Sequence, residues 1–172
     1  MDLLLMLLSV SYPFIRSFEN KISFYKNWKA LALAIILMMT IFITWDVIFT
    51  THEIWSFNDR YILGHKLLSL PIEEWMFFIC VPYSCVFIHE VLNFFFPLKK
   101  ISLNISRWNY WFALILIIIG VIFWSKMYTC VCFTLTGLFL LFVQRKNTQL
   151  IAVIYRTFIV SLIPFFIVNG IL

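Results

Sequence analysis

The sequence is poor in charge. Of its 172 residues, 12% are charged and 63% are hydrophobic, and the mean hydropathy is +0.99. Soluble domains are about one-quarter charged, so this chain has too few polar residues to cover a soluble fold. The shortage excludes a cytosolic enzyme, a nucleic-acid module and a secreted disulfide scaffold. It predicts an integral membrane protein, and at about 20 residues per crossing the length allows about five or six spans.

Glycine and cysteine are also scarce. The four glycines form no Gly-x-x-x-Gly motif, so we expect the 20 Phe, 7 Trp and 7 Tyr to fill the helix interfaces rather than close small-residue contacts. The four cysteines lie in apolar stretches without Cys-x-x-Cys spacing, and we interpret them as buried hydrophobic side chains. Without metal-ligand spacing or a glycine-rich nucleotide motif, we expect no metal and no cofactor.

Six apolar segments predict an all-α, polytopic transmembrane helix bundle of about six helices. Their composition and length favour helices over a β-barrel, and the first is short for a span and lacks the features of a signal peptide. The segments cover residues 1–15, 30–49, 71–96, 108–124, 127–143 and 150–172.

The loops between these segments predict an orientation. Loops 16–29, 97–107 and 145–149 together carry nine Lys and Arg, whereas loops 50–70 and 125–126 carry three. Because Lys and Arg favour cytoplasmic loops, we expect the N-terminus and the connector 50–70 on the outer side. We expect the membrane to be a bacterial inner membrane.

Three carboxylates are predicted to lie at one depth. Asp46 is near the outer end of the second segment, and Glu73 and Glu74 are in the first turn of the third, which runs in the opposite direction. Glutamates after a proline are also an ordinary helix start, but helix initiation does not require Asp46. Carboxylates clustered in low dielectric cannot all be ionised, so one can keep a proton and act as a general acid.

Aromatic side chains surround these carboxylates in the sequence. Their faces could stabilise a cation, although an aromatic belt at the membrane surface is the alternative interpretation of each ring. We expect the connector to cap the carboxylates. The candidate rings are Trp45, Trp55, Phe57, Tyr61, Trp75, Phe77 and Phe78.

A weak internal repeat accompanies this site. Residues 42–49 and 165–172 are similar, and Asp46 aligns with Asn169. We therefore predict two membrane repeats, residues 1–96 with the acidic motif and residues 97–172 as a second copy that is incomplete at the C-terminus.

Several motifs resemble the membrane-integral lycopene cyclases, which occur as heterodimeric subunits in bacteria and as fused domains in archaea and fungi. The resemblance is strongest over about residues 40–95 and is carried by Thr44-Trp45-Asp46, Trp55-Ser56-Phe57-Asn58, Tyr61, Leu70-Pro71-Ile72-Glu73-Glu74-Trp75, Phe77-Phe78 and Val81-Pro82-Tyr83.

The resemblance implies a lycopene β-cyclase that forms β-ionone rings by acid–base catalysis without net redox change. Glu73, Glu74 and Asp46 would be catalytic, and Asn58 and Tyr61 would join the listed rings in binding substrate. The implied partners are lycopene from the bilayer, membrane lipid, and either further copies of the chain or a partner subunit. Two alternatives stay open: a related carotenoid end-group enzyme such as a hydratase, and a non-catalytic carotenoid-binding membrane subunit.

Overall fold

The computed structural model describes residues 3–55, 57, 62, 64–97 and 103–171. In these ranges the chain forms six α-helices, a 3-10 turn at Phe24–Asn27, and a hairpin of two short strands, β1 (Lys66–Leu67) and β2 (Leu70–Pro71). The helices are α1 (Leu3–Arg16), α2 (Trp28–Thr51), α3 (Ile72–Phe95), α4 (Leu103–Ile122), α5 (Met127–Lys146) and α6 (Thr148–Ile171). The prediction of an all-α fold is confirmed.

Five segments among the described residues are long and apolar enough to cross a bilayer. They are Phe24–Thr51, Ile72–Phe95, Asn104–Ile122, Met127–Lys146 and Thr148–Ile167. The remaining helix, α1, has 14 residues and is shorter than the roughly 20 residues that a span requires. The chain is therefore a membrane protein with five long apolar helices and one short one.

The chain divides into two compact units. The first comprises Met1–Phe95 with Val160–Leu172, and the second comprises Phe96–Ile159. Helix α6 accordingly contributes its first half to the second unit and its last half to the first. The predicted tandem repeat stays a prediction, and the side chain of Asn169, on which the alignment with Asp46 depends, lies outside the described part of the structure.

An aromatic cluster forms the core of the first unit. Phe24, Leu31 and Phe87 are buried together, and the rings of Phe24 and Phe87 meet edge to face at 5.6 Å. Such aromatic contacts supply packing energy that the hydrophobic effect does not provide between helices in lipid. The cluster joins the start of α2 to the last third of α3.

A buried hydrogen bond ties α1 to α3 beside this cluster. The Ser17 hydroxyl donates to the Pro13 carbonyl at 2.6 Å and lies 2.6 Å from the Tyr83 hydroxyl. Because the single Ser17 proton is engaged with Pro13, Tyr83 is the donor to Ser17. Both hydroxyls are thereby satisfied within the membrane span, where an unsatisfied polar group is costly.

Close packing of α4 on α5 differs from the expectation of mainly aromatic interfaces. A Cβ at Gly137 would lie 2.7 Å from the Ala113 carbonyl oxygen and 2.6 Å from Ile117 Cγ1. A Cβ at Gly120 would meet the Thr134 hydroxyl. One glycine on each helix therefore permits the close approach, and a search for a repeated motif within one helix could not detect this arrangement.

Polar side chains connect the three helices of the second unit. Tyr155 of α6 donates to Asn109 Oδ1 at 2.7 Å, and Asn109 donates to Gln144 of α5. Gln144 then donates to Ser106 of α4 at 2.9 Å. Asn109 is only 1% exposed. These hydrogen bonds therefore satisfy polar atoms that would otherwise lack partners in an apolar environment.

Candidate functional site

The end of α2 is shaped by a Schellman motif. The Ile54 N–H donates to the Phe49 carbonyl at 3.0 Å and the Glu53 N–H donates to the Thr50 carbonyl at 3.2 Å. Glu53 has a φ of 54°, the left-handed conformation that this motif requires. The motif ends the helix and turns the chain back toward it.

The reversal brings Trp55 onto the helix that precedes it. The Trp55 indole N–H donates to the Thr50 hydroxyl at 3.0 Å, and its ring lies 5.5 Å from that of Phe49. Phe49 in turn stacks on Trp45 at 4.6 Å with an interplanar angle of 13°. Trp45, Phe49 and Trp55 thus form an aromatic column at the end of α2.

A tight hairpin leads into α3. Leu68 and Ser69 both have positive φ angles, 52° and 67°, as the two-residue loop of a type I′ hairpin requires. The Ile72 N–H donates to the His65 carbonyl at 3.1 Å, and the Trp75 indole donates to the Leu67 carbonyl at 3.3 Å. The hairpin is therefore fastened to the first turn of α3.

Ring contacts establish the register of α2 against α3. Phe42 stacks on Phe78 at 6.1 Å with an interplanar angle of 27°, while Leu31 packs in the cluster that contains Phe87. The residue numbers run in opposite directions, so the two helices are antiparallel. Asp46 follows Phe42 by one turn and Glu74 precedes Phe78 by one turn, which puts both carboxylates at the same level.

Electrostatic interactions link the three predicted carboxylates. The charge of Glu74 acts on Asp46, and the charge of Glu73 acts on Glu74. Asp46 is 6% exposed and Glu73 is 7% exposed, whereas Glu74 is half-buried. The structure thus brings the three carboxylates to the facing ends of α2 and α3, and their predicted catalytic roles stay predictions.

The two adjacent glutamates occupy different environments. Glu73 belongs to the buried face of α3 with Cys80 and Phe87, which follow it at intervals of seven residues, close to two helical turns. Glu74 points about 100° away around the helix, on the flank that carries Phe78 against α2. One carboxylate is therefore enclosed, and the other borders both Asp46 and a partly exposed aromatic surface.

The predicted binding residues differ in how closely they approach this centre. Trp45 and Trp55 join the column, Phe78 contacts Phe42, and Phe77 meets Phe78 edge to face at 5.6 Å. Trp75 anchors the hairpin, and Phe57 is half-buried. Asn58 and Tyr61 lie outside the described residues, so their predicted roles stay predictions.

Two contributing rings were missed by the sequence interpretation. Phe42 lies four residues before Asp46, and Phe49 lies four residues after Trp45. Helical spacing from the acidic and aromatic residues could have identified both, because side chains four residues apart lie on one face.

The acidic residues of the chain all lie within its first 90 residues. Glu90 is the last acidic residue, and residues 91–172 contain no Asp or Glu. Any carboxylate chemistry of this chain therefore belongs to its first 90 residues. Glu90 is 16 residues from Glu74 on α3, about 24 Å at helical rise, too far to join the group.

A protein-family comparison bears on what such a site does. The family model described as lycopene cyclase matches residues 2–92 and 125–172, which is most of the chain. The match includes all of α2 and Asp46, Glu73 and Glu74. No solved structure matches the chain significantly.

Two fungal proteins are among the curated relatives of the chain. It is 25% identical over 88 residues to the bifunctional lycopene cyclase/phytoene synthase of Neurospora crassa, covering 51% of this chain and 13% of that protein. It is 31% identical over 78 residues to the protein of the same name from Leptosphaeria maculans, covering 45% of this chain and 13% of that protein. The similarity therefore extends over a small part of each relative.

Proposed function

This chain belongs to the lycopene cyclase family of carotenoid biosynthesis, and from that premise we propose that it converts the linear ψ-ends of lycopene into β-ionone rings. The observation that carries the proposal is the electrostatically linked group of Asp46, Glu73 and Glu74 at the facing ends of α2 and α3. Carboxyl groups are costly at membrane depth and are commonly retained there for function. Proton transfer is the chemistry that such a group can supply.

The proposed reaction begins and ends with a proton. A protonated carboxyl group adds its proton to the terminal double bond of the ψ-end and leaves a tertiary carbocation. The electron pair of a nearby internal double bond forms the new carbon–carbon bond that closes a six-membered ring, and the cation moves to the ring. A carboxylate removes a ring proton, whose electron pair restores a double bond. One proton is added and one is removed, so the product is an isomer.

Aromatic rings complete the proposed site. The faces of Trp45 and Trp55 in the column, together with Phe78 beside Glu74, can stabilise the developing cation. The apolar faces of these rings would also keep water away from the cation, which water would otherwise trap as an alcohol. Exclusion of water is what would distinguish a cyclase from a hydratase.

We further propose that the chain lies in a bacterial inner membrane with its N-terminus outside, an orientation in which the short helix α1 crosses the bilayer as a sixth span. The excess of Lys and Arg in loops 16–29, 97–107 and 145–149 supports this orientation. The carboxylate group would then lie toward the outer leaflet and receive its polyene substrate sideways from the lipid. The chain would act either with further copies of itself or with a partner subunit.

Expression in a lycopene-accumulating host tests the proposed reaction. We expect cyclic carotenoids in the extracted pigments, because the three carboxylates can supply both proton transfers. Hydroxylated acyclic products would support a hydratase instead. Unchanged lycopene, with the protein present in the membrane, would contradict catalysis and favour a carotenoid-binding subunit.

Separate amide substitutions test the assigned residues. We expect Glu73→Gln, Glu74→Gln and Asp46→Asn each to lower ring formation by about 100-fold or more, the contribution of a positioned acid or base. Glu90→Gln is the matched control, since it changes the same residue type at the other end of α3. Wild-type rates in both Glu73→Gln and Glu74→Gln would exclude these glutamates from proton transfer.

A further inference from the structure

We infer that Phe42 is a substrate-contact residue that, with Phe78, receives the conjugated polyene where it enters from the bilayer. This inference rests on the proposed cyclase function and adds a specificity-determining residue to it. It follows from the position of the ring pair, from its exposure and from the distribution of acids along the chain.

The position of the pair is set by helical geometry. Phe42 is one turn from Asp46 and Phe78 is one turn from Glu74, and each such step is about 5.4 Å along a helix. The stacked pair therefore lies directly beside the two electrostatically linked carboxylates, on the side toward the middle of the membrane. A ψ-end that reaches the carboxylates must extend its chain past these rings.

The exposure of Phe42 makes the pair accessible from lipid. The Phe42 side chain is 48% exposed within a membrane-spanning helix, while Phe49, about two turns further along α2, is only 4% exposed. Phe78 is partly covered and adjoins the edge of Phe77. One side of the pair thus faces the bilayer and the other adjoins the carboxylates.

The geometry of the pair suits a conjugated chain. The rings are stacked with centroids 6.1 Å apart and planes inclined by only 27°, so the exposed ring of Phe42 offers a further aromatic surface on which a flat chain can stack. A polyene is planar, apolar and polarisable, and it gains dispersion energy along such a surface. A flexible saturated lipid tail gains less, because it cannot keep a flat face against the rings.

Exposed aromatic side chains of α4, α5 and α6 lack an acidic residue on the same helix. Trp108, Phe139 and Phe142 are all more than half exposed, but α4, α5 and α6 contain no Asp or Glu. A polyene stacked on those rings would meet no carboxyl group on the same helix. Phe94 and Phe95 also form an exposed ring pair one turn from an acid, Glu90, but both rings and that acid belong to α3 alone. Phe42 and Phe78 instead join two helices, each of which carries a carboxylate one turn from its ring.

Steady-state cyclisation in proteoliposomes loaded with lycopene tests this inference. We expect Phe42→Ala and Phe42→Leu to lower kcat/KM about tenfold, mainly through a higher KM, and Phe42→Trp to restore it. Phe42→Leu keeps an apolar side chain and removes only the aromatic face, so a purely structural role would leave its KM unchanged. Ile41→Ala, at a neighbouring position that is 65% exposed, is the matched control and should behave as wild type.

Lycopene binding to the Glu74→Gln protein, followed by quenching of tryptophan fluorescence, provides a second measurement without turnover. Adding Phe42→Leu to that variant should weaken binding about tenfold. If the wild type cyclises lycopene while Phe42→Leu matches it in both KM and binding, the inference is overturned and the proposed function stands. If the wild type forms no ring, the proposed function fails, and the inference fails with it.

Discussion

Asp46 and Glu74 come from different helices, and the charge of Glu74 acts on Asp46 across the α2–α3 interface. Glu73 differs from its neighbour by one position, yet it lies on the buried face of α3. The proposed reaction needs one carboxyl group that gives a proton and another that takes one, and the three lie at the facing ends of the same two helices. At the scale of single residues, the acid and the base of the proposed reaction are properties of the group rather than of one side chain.

A double-mutant cycle measures this coupling. We expect Asp46→Asn and Glu74→Gln to be strongly non-additive, with the double variant scarcely slower than the slower single variant, since residues acting as a unit behave in this way. The readout is the initial rate of ring formation in proteoliposomes.

Glu19 offers a matched reference for that cycle. Glu19 follows α1 and forms a salt bridge with Arg16 at 3.0 Å. The start of α2, which follows Glu19 in the chain, is about 27 Å from Asp46 at helical rise. Asp46→Asn combined with Glu19→Gln should therefore give additive effects on the logarithm of the rate. Additivity in both pairs would contradict the functional coupling of Asp46 with Glu74.

At the scale of elements, each unit uses a different means of joining its helices. The first unit joins them through aromatic contacts around Tyr83 and Phe87 and through the buried Ser17–Tyr83 hydrogen bond. The second joins α4 to α5 through backbone approach at Gly120 and Gly137, and it adds the polar connections of Asn109. In lipid, both kinds of helix packing depend on van der Waals contact and internal hydrogen bonds, because burial of apolar surface from water does not drive helix association there.

Gly137→Ala should destabilise the α4–α5 pair. The added Cβ would lie 2.7 Å from the Ala113 carbonyl oxygen, and backbone cannot move aside as a flexible side chain can. We expect a loss of about 1–3 kcal/mol in the free energy of unfolding, the usual cost of overpacking, measured by denaturation in mixed micelles. Leu138→Ala, at a neighbouring position that is 51% exposed, should change the value by less than about 0.5 kcal/mol. Equal stability of wild type and Gly137→Ala would contradict the close approach of the helices.

At the scale of the whole molecule, the five long apolar helices define how loops are distributed between the two sides of the membrane. Consecutive spans alternate in direction, so the start of α3 lies on one side of the membrane and its end on the other. The nine Lys and Arg of the more basic loops favour the cytoplasm for that second side. The carboxylate group would then face the outer leaflet.

Reporter fusions test this orientation. Alkaline phosphatase, which is active only outside the cytoplasm, should be active when inserted within residues 56–61 and inactive when inserted within residues 98–102. A fluorescent protein that folds only in the cytoplasm should give the opposite pattern. The reverse result for both reporters would place the carboxylates toward the cytoplasmic leaflet and contradict the proposed topology.

Much of this organisation follows from the sequence alone. The shortage of charge and the lengths of the apolar segments determine a helical membrane protein, because unpaired backbone groups cannot be left in lipid. Pro71-Ile72-Glu73-Glu74 and Thr44-Trp45-Asp46 identify the acidic group, since each charge at membrane depth is conspicuous against apolar neighbours. Opposite helix directions were sufficient to predict that the group shares one depth.

Only the tertiary structure decided which side chains meet across the helices. Helical periodicity puts Phe42 on the face of Asp46, but the rotation of α2 against α3 determines that Phe42 stacks on Phe78. The same rotation buries Glu73 and turns Glu74 toward Asp46. Likewise, Gly120 and Gly137 allow close approach only because α4 and α5 meet in one register. Periodicity determines the faces of a helix, whereas the choice of facing partner depends on packing between residues distant in sequence.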